Sequence, residues 1–374
     1  MKLMCVVGAR PNFMKMAPLI ARLRLSRAFT PVLVHTGQHY GREMSGQFFS
    51  DLQLPAPDFH LAVGSGSHAQ QTAEIMLRVE QLMIEQRPGA VIVVGDVNST
   101  VACALVASKL QIPVVHVEAG LRSFDRSMPE EINRIVTDAI SDLLLVTEES
   151  GQRNLLREGV PATRIRLVGN LMIDCLHLHL DRALRSDVMD RLGIGEEKFG
   201  LITLHRPANV DSPDQFQQLL EALGTISEEI PLYFPVHPRT RAALDPAGSY
   251  ARIRLLEPLG YLDFLCLMAK SSLVLTDSGG IQEETTALGI PCLTLRDNTE
   301  RPSTIEQGTN ILAGTNKSTI LHAWRELRER PGSVRVPPYW DGNAAERCVA
   351  ALEEYFGTGC LPSAEERASP TTFA

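Results

Sequence analysis

Twelve short apolar runs rich in β-branched residues recur along this chain, separated by longer stretches of helical periodicity. They fall at 3–7, 32–35, 91–94, 114–117, 143–146 and 166–168, then at 201–204, 232–234, 252–255, 273–276, 292–295 and 311–313. Alternation of this kind folds as a parallel sheet covered by helices on both faces. Two similar sets of runs predict an α/β protein of two doubly wound, Rossmann-like domains facing across a cleft. At 374 residues the chain exceeds the roughly 250–300 at which single cores stop growing, which also predicts two domains. The boundary is expected at Gly169-Asn170, giving domains 1–170 and 171–342. An amphipathic helix at 343–356, within a segment 343–360 expected to pack back on the first domain, precedes a tail at 361–374.

Nearly every run ends in a polar or glycine-bearing loop. Gly8-Ala9-Arg10-Pro11-Asn12 follows the first, Thr36-Gly37-Gln38-His39 the second, and Gly95-Asp96-Val97-Asn98-Ser99-Thr100 the third. The fourth opens into His116-Val117-Glu118-Ala119-Gly120-Leu121-Arg122-Ser123, with Pro129-Glu130-Glu131-Ile132-Asn133-Arg134 beyond it. In the second half His205-Arg206-Pro207, His237-Pro238-Arg239 and Asp277-Ser278-Gly279-Gly280 take the same places. Open α/β sheets bind ligands beyond the carboxyl ends of their strands, so these loops are expected to line one cleft. Carboxylates gathered there beside cations suit proton transfer on a polar, anionic substrate. A plainer reading pairs Glu118 and Glu130 with Arg122 and Arg134 as simple ion pairs. It suits one acid better than the whole set.

Charge narrows the partners. Lys and Arg number 36 against 44 Asp and Glu, a net charge of −8, which argues against general nucleic-acid or anionic-membrane binding. The seven cysteines are scattered without a Cys-x-x-Cys, several of them in apolar runs, as expected of small core residues in a reducing compartment. The first residues turn polar at Gly8, too soon for a signal peptide, and no apolar run approaches the ~20 residues that span a bilayer. A cytoplasmic protein is expected. His116, His205 and His237 lie at predicted strand tips but alternate with Arg and Pro instead of grouping as ligands, so no metal is expected; His177 and His179 read as surface or packing residues.

The stretch Thr276-Asp277-Ser278-Gly279-Gly280-Ile281-Gln282-Glu283-Glu284 reads as a strand end, a small-residue turn and a helix start. Backbone N–H groups at such a start attract phosphate, and glycine lets phosphate oxygens approach closely. Glu284, one turn in, can accept from ribose hydroxyls, and Arg10 and Arg301 can balance a diphosphate. Taken alone, Ser-Gly-Gly is more often an ordinary connection. Neither G-x-x-x-x-G-K-[ST] nor G-x-G-x-x-G occurs, which removes the usual support for ATPase or dinucleotide-cofactor readings.

Taken in order, these motifs resemble the non-hydrolysing UDP-N-acetylglucosamine 2-epimerase family. The match runs from Gly8–Pro11 with Lys15, through Thr36–His39, Gly95–Thr100, His116–Ser123, Pro129–Arg134 and His205-Arg206, to Thr276–Glu284 and Arg296–Pro302. The resemblance implies a fold like the GT-B glycosyltransferases, a UDP-sugar in the cleft, a homodimer and no cofactor. It implies reversible conversion of UDP-GlcNAc to UDP-ManNAc by elimination of UDP, through 2-acetamidoglucal, and re-addition. By similarity Asp96, Glu118 and Glu130 form the acid/base set and His205 assists at phosphate or sugar. Arg10, Lys15, His237, Ser278, Gly279, Gly280, Glu284 and Arg301 match substrate-contacting positions, with Phe264 and the backbone near Leu259 flanking uracil. Which carboxylate takes the C2 proton stays open. Two departures stand out: the link 124–128 is short where members with an allosteric site have a longer loop, and Tyr40-Gly41 has the look of an insertion. Short links also occur in epimerases of diacetamido-uronic acid sugars. A 2-epimerase of UDP-2,3-diacetamido-glucuronate, a GT-B glycosyltransferase and a binding-only sugar-nucleotide protein are the alternatives.

Overall fold

The computed structural model describes residues 1–38, 51–236, 240, 241, 244, 252–329 and 335–357. His237, Tyr40-Gly41 and the predicted tail at 361–374 lie outside the described residues. The chain forms β1 (Lys2–Val7), β2 (Thr30–His35), β3 (Phe59–His60), β4 (Ala90–Val94), β5 (Val114–Ala119), β6 (Leu143–Val146) and β7 (Ile165–Leu167). These make one seven-stranded sheet in the order β3-β2-β1-β4-β5-β6-β7. The remaining strands are β8 (Gly200–Thr203), β9 (Leu232–Pro235), β10 (Ile253–Leu256), β11 (Leu273–Thr276), β12 (Cys292–Thr294) and β13 (Asn310–Leu312). They form a second sheet, β10-β9-β8-β11-β12-β13. Neighbours pair in parallel in both, with Met4 opposite Val32 in the first and Leu275 opposite Ile202 in the second.

The sequence dictates this directly. Every residue of β4 and β6 is buried, because helices cover both faces and a strand so placed must be apolar throughout. All twelve predicted runs become strands with ends shifted by a few residues. Phe59–His60 is an additional edge strand, paired among the described residues with β2 alone. The helix Leu171–Ala183 joins the sheets, and the largest core cluster runs through it: Cys175 and Leu176 pack in one apolar body with Leu3 and Cys5 of the first sheet and Leu201 and Val274 of the second. Truncating Leu176 to alanine there costs about 2–5 kcal/mol. The helix Ala344–Gly357 lies by the first sheet's helix Arg10–Leu23, with Arg22 bonded to Glu346 and Phe29 edge-on to Phe356.

A candidate active site at the strand ends

Strand order reverses direction between β1 and β4 in one sheet and between β8 and β11 in the other. Such switch points open a crevice at the carboxyl ends of the strands. The loop after β1 leads into Arg10 and Lys15, that after β4 carries Asp96, that after β8 carries His205, and that after β11 carries Ser278–Gly280. Asn12 fixes the first of these loops, accepting from the N–H groups of Gly8 and Ala9 and donating to Val94 O at 3.0 Å. Gln38 caps the helix after Asp96, accepting from Ser99 N at 3.0 Å.

Glu118 reaches the crevice through an irregular strand. Val117 pairs with Leu145 and Ala119 with Val146, leaving Glu118 as the extra residue of a bulge at φ 71°. A bulge re-aims a side chain, and a non-glycine residue held in this region costs of order 1–3 kcal/mol. The carboxylate meets Lys15 Nζ on one oxygen and Arg301 Nη2 on the other, the latter at 2.9 Å. Burial pushes its proton affinity up, but Lys15, Arg301 and His116 outweigh burial and hold the Glu118 carboxyl below the ordinary carboxylate range. Arg301 is surrounded: Glu283 lies 2.8 Å from Nε, Glu300 holds Nη1, and Arg296 holds Glu300 at 2.7 Å. Burial opposes the charge on Arg301, yet the carboxylates keep it protonated well beyond the ordinary arginine range.

Asp96 is anchored by the helix Pro129–Ile140. Arg134 Nη1 donates to its carboxylate at 2.5 Å and Asn133 Nδ2 to its carbonyl at 2.8 Å. Arg134 is braced by Glu131, which also accepts from Ser123 N at 3.0 Å and Phe124 N at 2.9 Å. Glu130, in the first turn of that helix, is half-buried, makes no hydrogen bond or ion pair among the described residues, and lies within the field of Arg206.

The second sheet supplies a different surface. Ser278 begins the helix Gly279–Leu288, and a Cβ added at Gly279 would lie 2.6 Å from Arg301 Nη1. The open helix start and the guanidinium are therefore in contact, a pairing suited to an anion. Glu284 is buried beneath the turn and accepts from Tyr261 Oη at 3.2 Å; burial pushes its carboxyl up to about 8. His205 Nδ1 sits 3.0 Å from Asp277, which is fully buried and also accepts from Arg206 N and Asn209 Nδ2. Leu259 and Phe264 flank the start of the helix Tyr261–Lys270, half-buried against the core.

The structure thus brings Lys15, Glu118, Gly279 and Arg301 together, with Asp96 close by. Glu284, His205, Leu259 and Phe264 belong to the second sheet's elements, with Glu284 bonded to Tyr261 and His205 to Asp277 instead of to Lys15, Glu118 or Arg301, and Arg10 stands at the start of its helix. The plainer ion-pair reading fails at both acids, and one expectation, the place of His116, changes. Glu118 pairs with Lys15 and Arg301 and not with Arg122, which goes to Asp138 and Glu158. Arg134 takes Asp96 and Glu131 and not Glu130. His116 is no strand tip: it lies within β5, fully buried, between Asp138 Oδ1 at 2.6 Å and Gly95 O at 2.8 Å, where it fixes the loop before Asp96. Sequence reasoning also passed over Asp277, Glu131, Glu283 and Glu300 as organisers of the site. Their signal was present, since each stands inside a stretch already singled out for its acids and arginines.

The sequence profile described as UDP-N-acetylglucosamine 2-epimerase matches residues 21–353. The UDP-N-acetylglucosamine 2-epimerase of Methanocaldococcus jannaschii is 42% identical over 364 residues, covering 94% of this chain and 99% of that protein. The UDP-2,3-diacetamido-2,3-dideoxy-D-glucuronate 2-epimerase of Pseudomonas aeruginosa is 39% identical, covering 94% and 99%. The crystal structure of the M. jannaschii enzyme in complex with UDP-GlcNAc and UDP superposes with a TM-score of 0.89 over 95% of this chain and all of that one, at 41% identity. That of the Neisseria meningitidis enzyme bound to UDP-GlcNAc gives 0.88 at 32% identity, over 95% of this chain and 100% of that one. With its two GT-B-like sheets and this span of likeness, the chain belongs to the UDP-N-acetylglucosamine 2-epimerase family.

Proposed function

We propose that this enzyme interconverts UDP-N-acetylglucosamine and UDP-N-acetylmannosamine at C2, without a cofactor, in the cleft between the two sheets. The observation that carries the site is the contact of Lys15, Glu118 and Arg301 across the cleft, with Asp96 beside them. A carboxylate takes the C2 proton while the C1–O bond breaks, so the C2–H electrons form the C1=C2 bond of 2-acetamidoglucal and the bond pair leaves with UDP. In return, a UDP oxygen adds to C1 and a second acid delivers a proton to the other face of C2. Asp96, Glu118 and Glu130 are the acid/base set. Lys15, Arg10, Arg301 and the N–H groups of Ser278–Gly280 take the negative charge of departing UDP.

In this scheme Glu284 meets the ribose, Phe264 and Leu259 flank the uracil, His237 adds a nucleotide contact, and His205, oriented by Asp277, serves phosphate or sugar. The first domain (1–170) carries the acids, the second (171–342) carries UDP, and the described helix Ala344–Gly357 packs back on the first. No helix among the described residues is long and apolar enough to cross a membrane. We place the enzyme in the cytoplasm as a homodimer. Incubation with UDP-GlcNAc alone, followed by proton NMR, tests the activity: UDP-ManNAc is expected, and no conversion without an added acceptor overturns it. The P. aeruginosa relative favours a second reading, a 2-epimerase of UDP-2,3-diacetamido-glucuronate. Much faster turnover of that sugar than of UDP-GlcNAc would select it.

A further inference from the structure

The side chains assigned to the diphosphate already hold an anion. Lys15 and Arg301 each take one oxygen of the Glu118 carboxylate, and the three residues are 5%, 6% and 4% exposed. The Arg301–Glu118 bond also crosses the cleft, from the loop after β12 to the bulge of β5. The other contacts of Arg301 stay on its own side: Glu283 belongs to the helix Gly279–Leu288, and Glu300 is the preceding residue, itself braced by Arg296. Each cation of this group is already engaged by a carboxylate: Lys15 by Glu118, Arg296 by Glu300, and Arg301 by Glu118, Glu283 and Glu300, with Arg206 3.6 Å from Glu300 at the edge of the group. A diphosphate that binds Lys15 and Arg301 while every carboxylate stays in place would bury like charges side by side on the same two cations. One carboxylate must give way. Glu300 is held by Arg296 and Arg301, and Glu283 lies on Arg301's own wall, whereas Glu118 reaches across from the opposite sheet and is the exchangeable partner.

We propose that Glu118 and the substrate's diphosphate compete for Lys15 and Arg301, so that the arriving substrate itself releases Glu118 to act as a base. The inference rests on the 2-epimerase assignment and extends it to the control of the site. A carboxylate clamped by two cations accepts a proton poorly, since both cations favour its ionised form. Once phosphate oxygens draw Lys15 and Arg301 away, Glu118 stands in a dry setting that favours protonation, at the moment the sugar is in place. After elimination UDP stays on the cations, and the carboxylates remain free to return a proton to C2. When UDP leaves, Glu118 is clamped again. The empty enzyme thus keeps its base idle.

Calorimetric titration of UDP into the wild-type enzyme, Glu118→Gln and Glu118→Asp separates the possibilities. Loss of the competing carboxylate leaves two buried cations undercompensated, so Glu118→Gln should bind UDP about tenfold more tightly or better, while turnover falls. Aspartate is one methylene too short to reach both cations and should tighten UDP binding by a smaller factor. A residue that only supported the fold, or only touched UDP, would lose affinity on substitution. Thermal unfolding shows which variants are folded; should the glutamine variant fail, the aspartate variant decides. Unchanged or weaker UDP binding in a folded variant overturns the competition. Failure of the wild type to bind UDP at all overturns the 2-epimerase assignment instead.

Discussion

The two walls of the cleft are built on different backbone principles. Along the first sheet, residues with positive φ crowd the site: Gly37 at 81°, Gly95 at 70°, Glu118 at 71°, Gly120 at 80° and Phe124 at 58°. Along the second, no described residue of the loops at 205–210, 277–282 or 296–302 has positive φ. In the proposed mechanism the first wall aims separate carboxylates from separate loops at one carbon, which takes bulges and left-handed residues. The second needs only a relaxed helix start whose N–H groups already point outward. Strain accompanies the proposed chemistry, and regular structure accompanies the proposed binding.

The largest effects should separate the walls most sharply. Asp96→Asn, Glu118→Gln and Glu130→Gln keep shape but remove an ionisable group, and each should lower kcat by about 10²–10⁴. UDP affinity should change far less for Asp96 and Glu130. Turnover in D₂O should place deuterium at C2 of the product, because the returning proton comes from solvent. Product without that label excludes proton exchange at C2, and full activity in all three variants removes these acids from the mechanism.

A second contrast lies where the walls meet. Glu148, after β6, is buried, and burial pushes its carboxyl up to about 7, with Glu283 adding to the rise and Ser150 and Arg301 opposing it. Its Oε2 makes no hydrogen bond among the described residues. A raised carboxyl keeps its proton in the folded state after the unfolded chain has lost it. Stability should therefore fall as pH rises from the ordinary carboxyl value of 4.5 to about 7, and stay reduced above. Glu148→Gln removes that loss, a gain of about 3 kcal/mol at most at alkaline pH and close to none at acid pH. Denaturant unfolding at about pH 8.5 and about pH 4 measures it; equal effects at both would show that Glu148 does not titrate there.

How much of this was legible follows from the range of each interaction. The strands could be read because a doubly covered strand is apolar throughout, as Ala90–Val94 is. The strand Phe59–His60 could not, because two residues carry no period. The motifs placed Glu118 and Arg301 at one cleft, but their bond joins positions 183 residues apart, beyond the reach of local pattern. Arg122 is the partner that local spacing offers Glu118, and the bulge that turns Glu118 toward Lys15 leaves no compositional mark. The same extension of β5 places His116 inside the sheet.

Glycine substitutions offer a smaller and reciprocal test. A Cβ at Gly279 would lie 2.6 Å from Arg301 Nη1 and 2.8 Å from Glu300 Oε1. Gly279→Val should weaken UDP binding at least ~10-fold, roughly 1.4 kcal/mol. At Gly95 alanine would be forced into φ 70° with its Cβ 3.2 Å from Glu118 Oε2, a strain of about 1–2 kcal/mol. That change should fall on kcat, with UDP affinity nearly kept. Calorimetry and initial rates on both variants check the crossing pattern, and loss of UDP binding in Gly95→Ala would break the division between the walls.

The smallest expected effect concerns regulation. The link 124–128 is tied to both walls: Glu131 accepts from Phe124 N at 2.9 Å, Ser127 N donates to Asp125 at 3.0 Å, and Asn298 Nδ2 donates to Asp125 at 3.4 Å from the far side. A segment of this length, folded onto its own helix and bonded across the cleft, lacks the longer loop that family members with an allosteric substrate site carry. The rate should therefore depend hyperbolically on UDP-GlcNAc, with a Hill coefficient of about 1. Conversion of pure UDP-ManNAc should begin without a lag and need no added UDP-GlcNAc. Progress curves from purified UDP-ManNAc, with and without a trace of UDP-GlcNAc, measure this. A lag removed by the trace would show that a second substrate molecule acts on the first wall despite the short link. The idle state of Glu118 would then answer to two ligands, whereas a smooth start leaves the diphosphate of the reacting molecule as its single control.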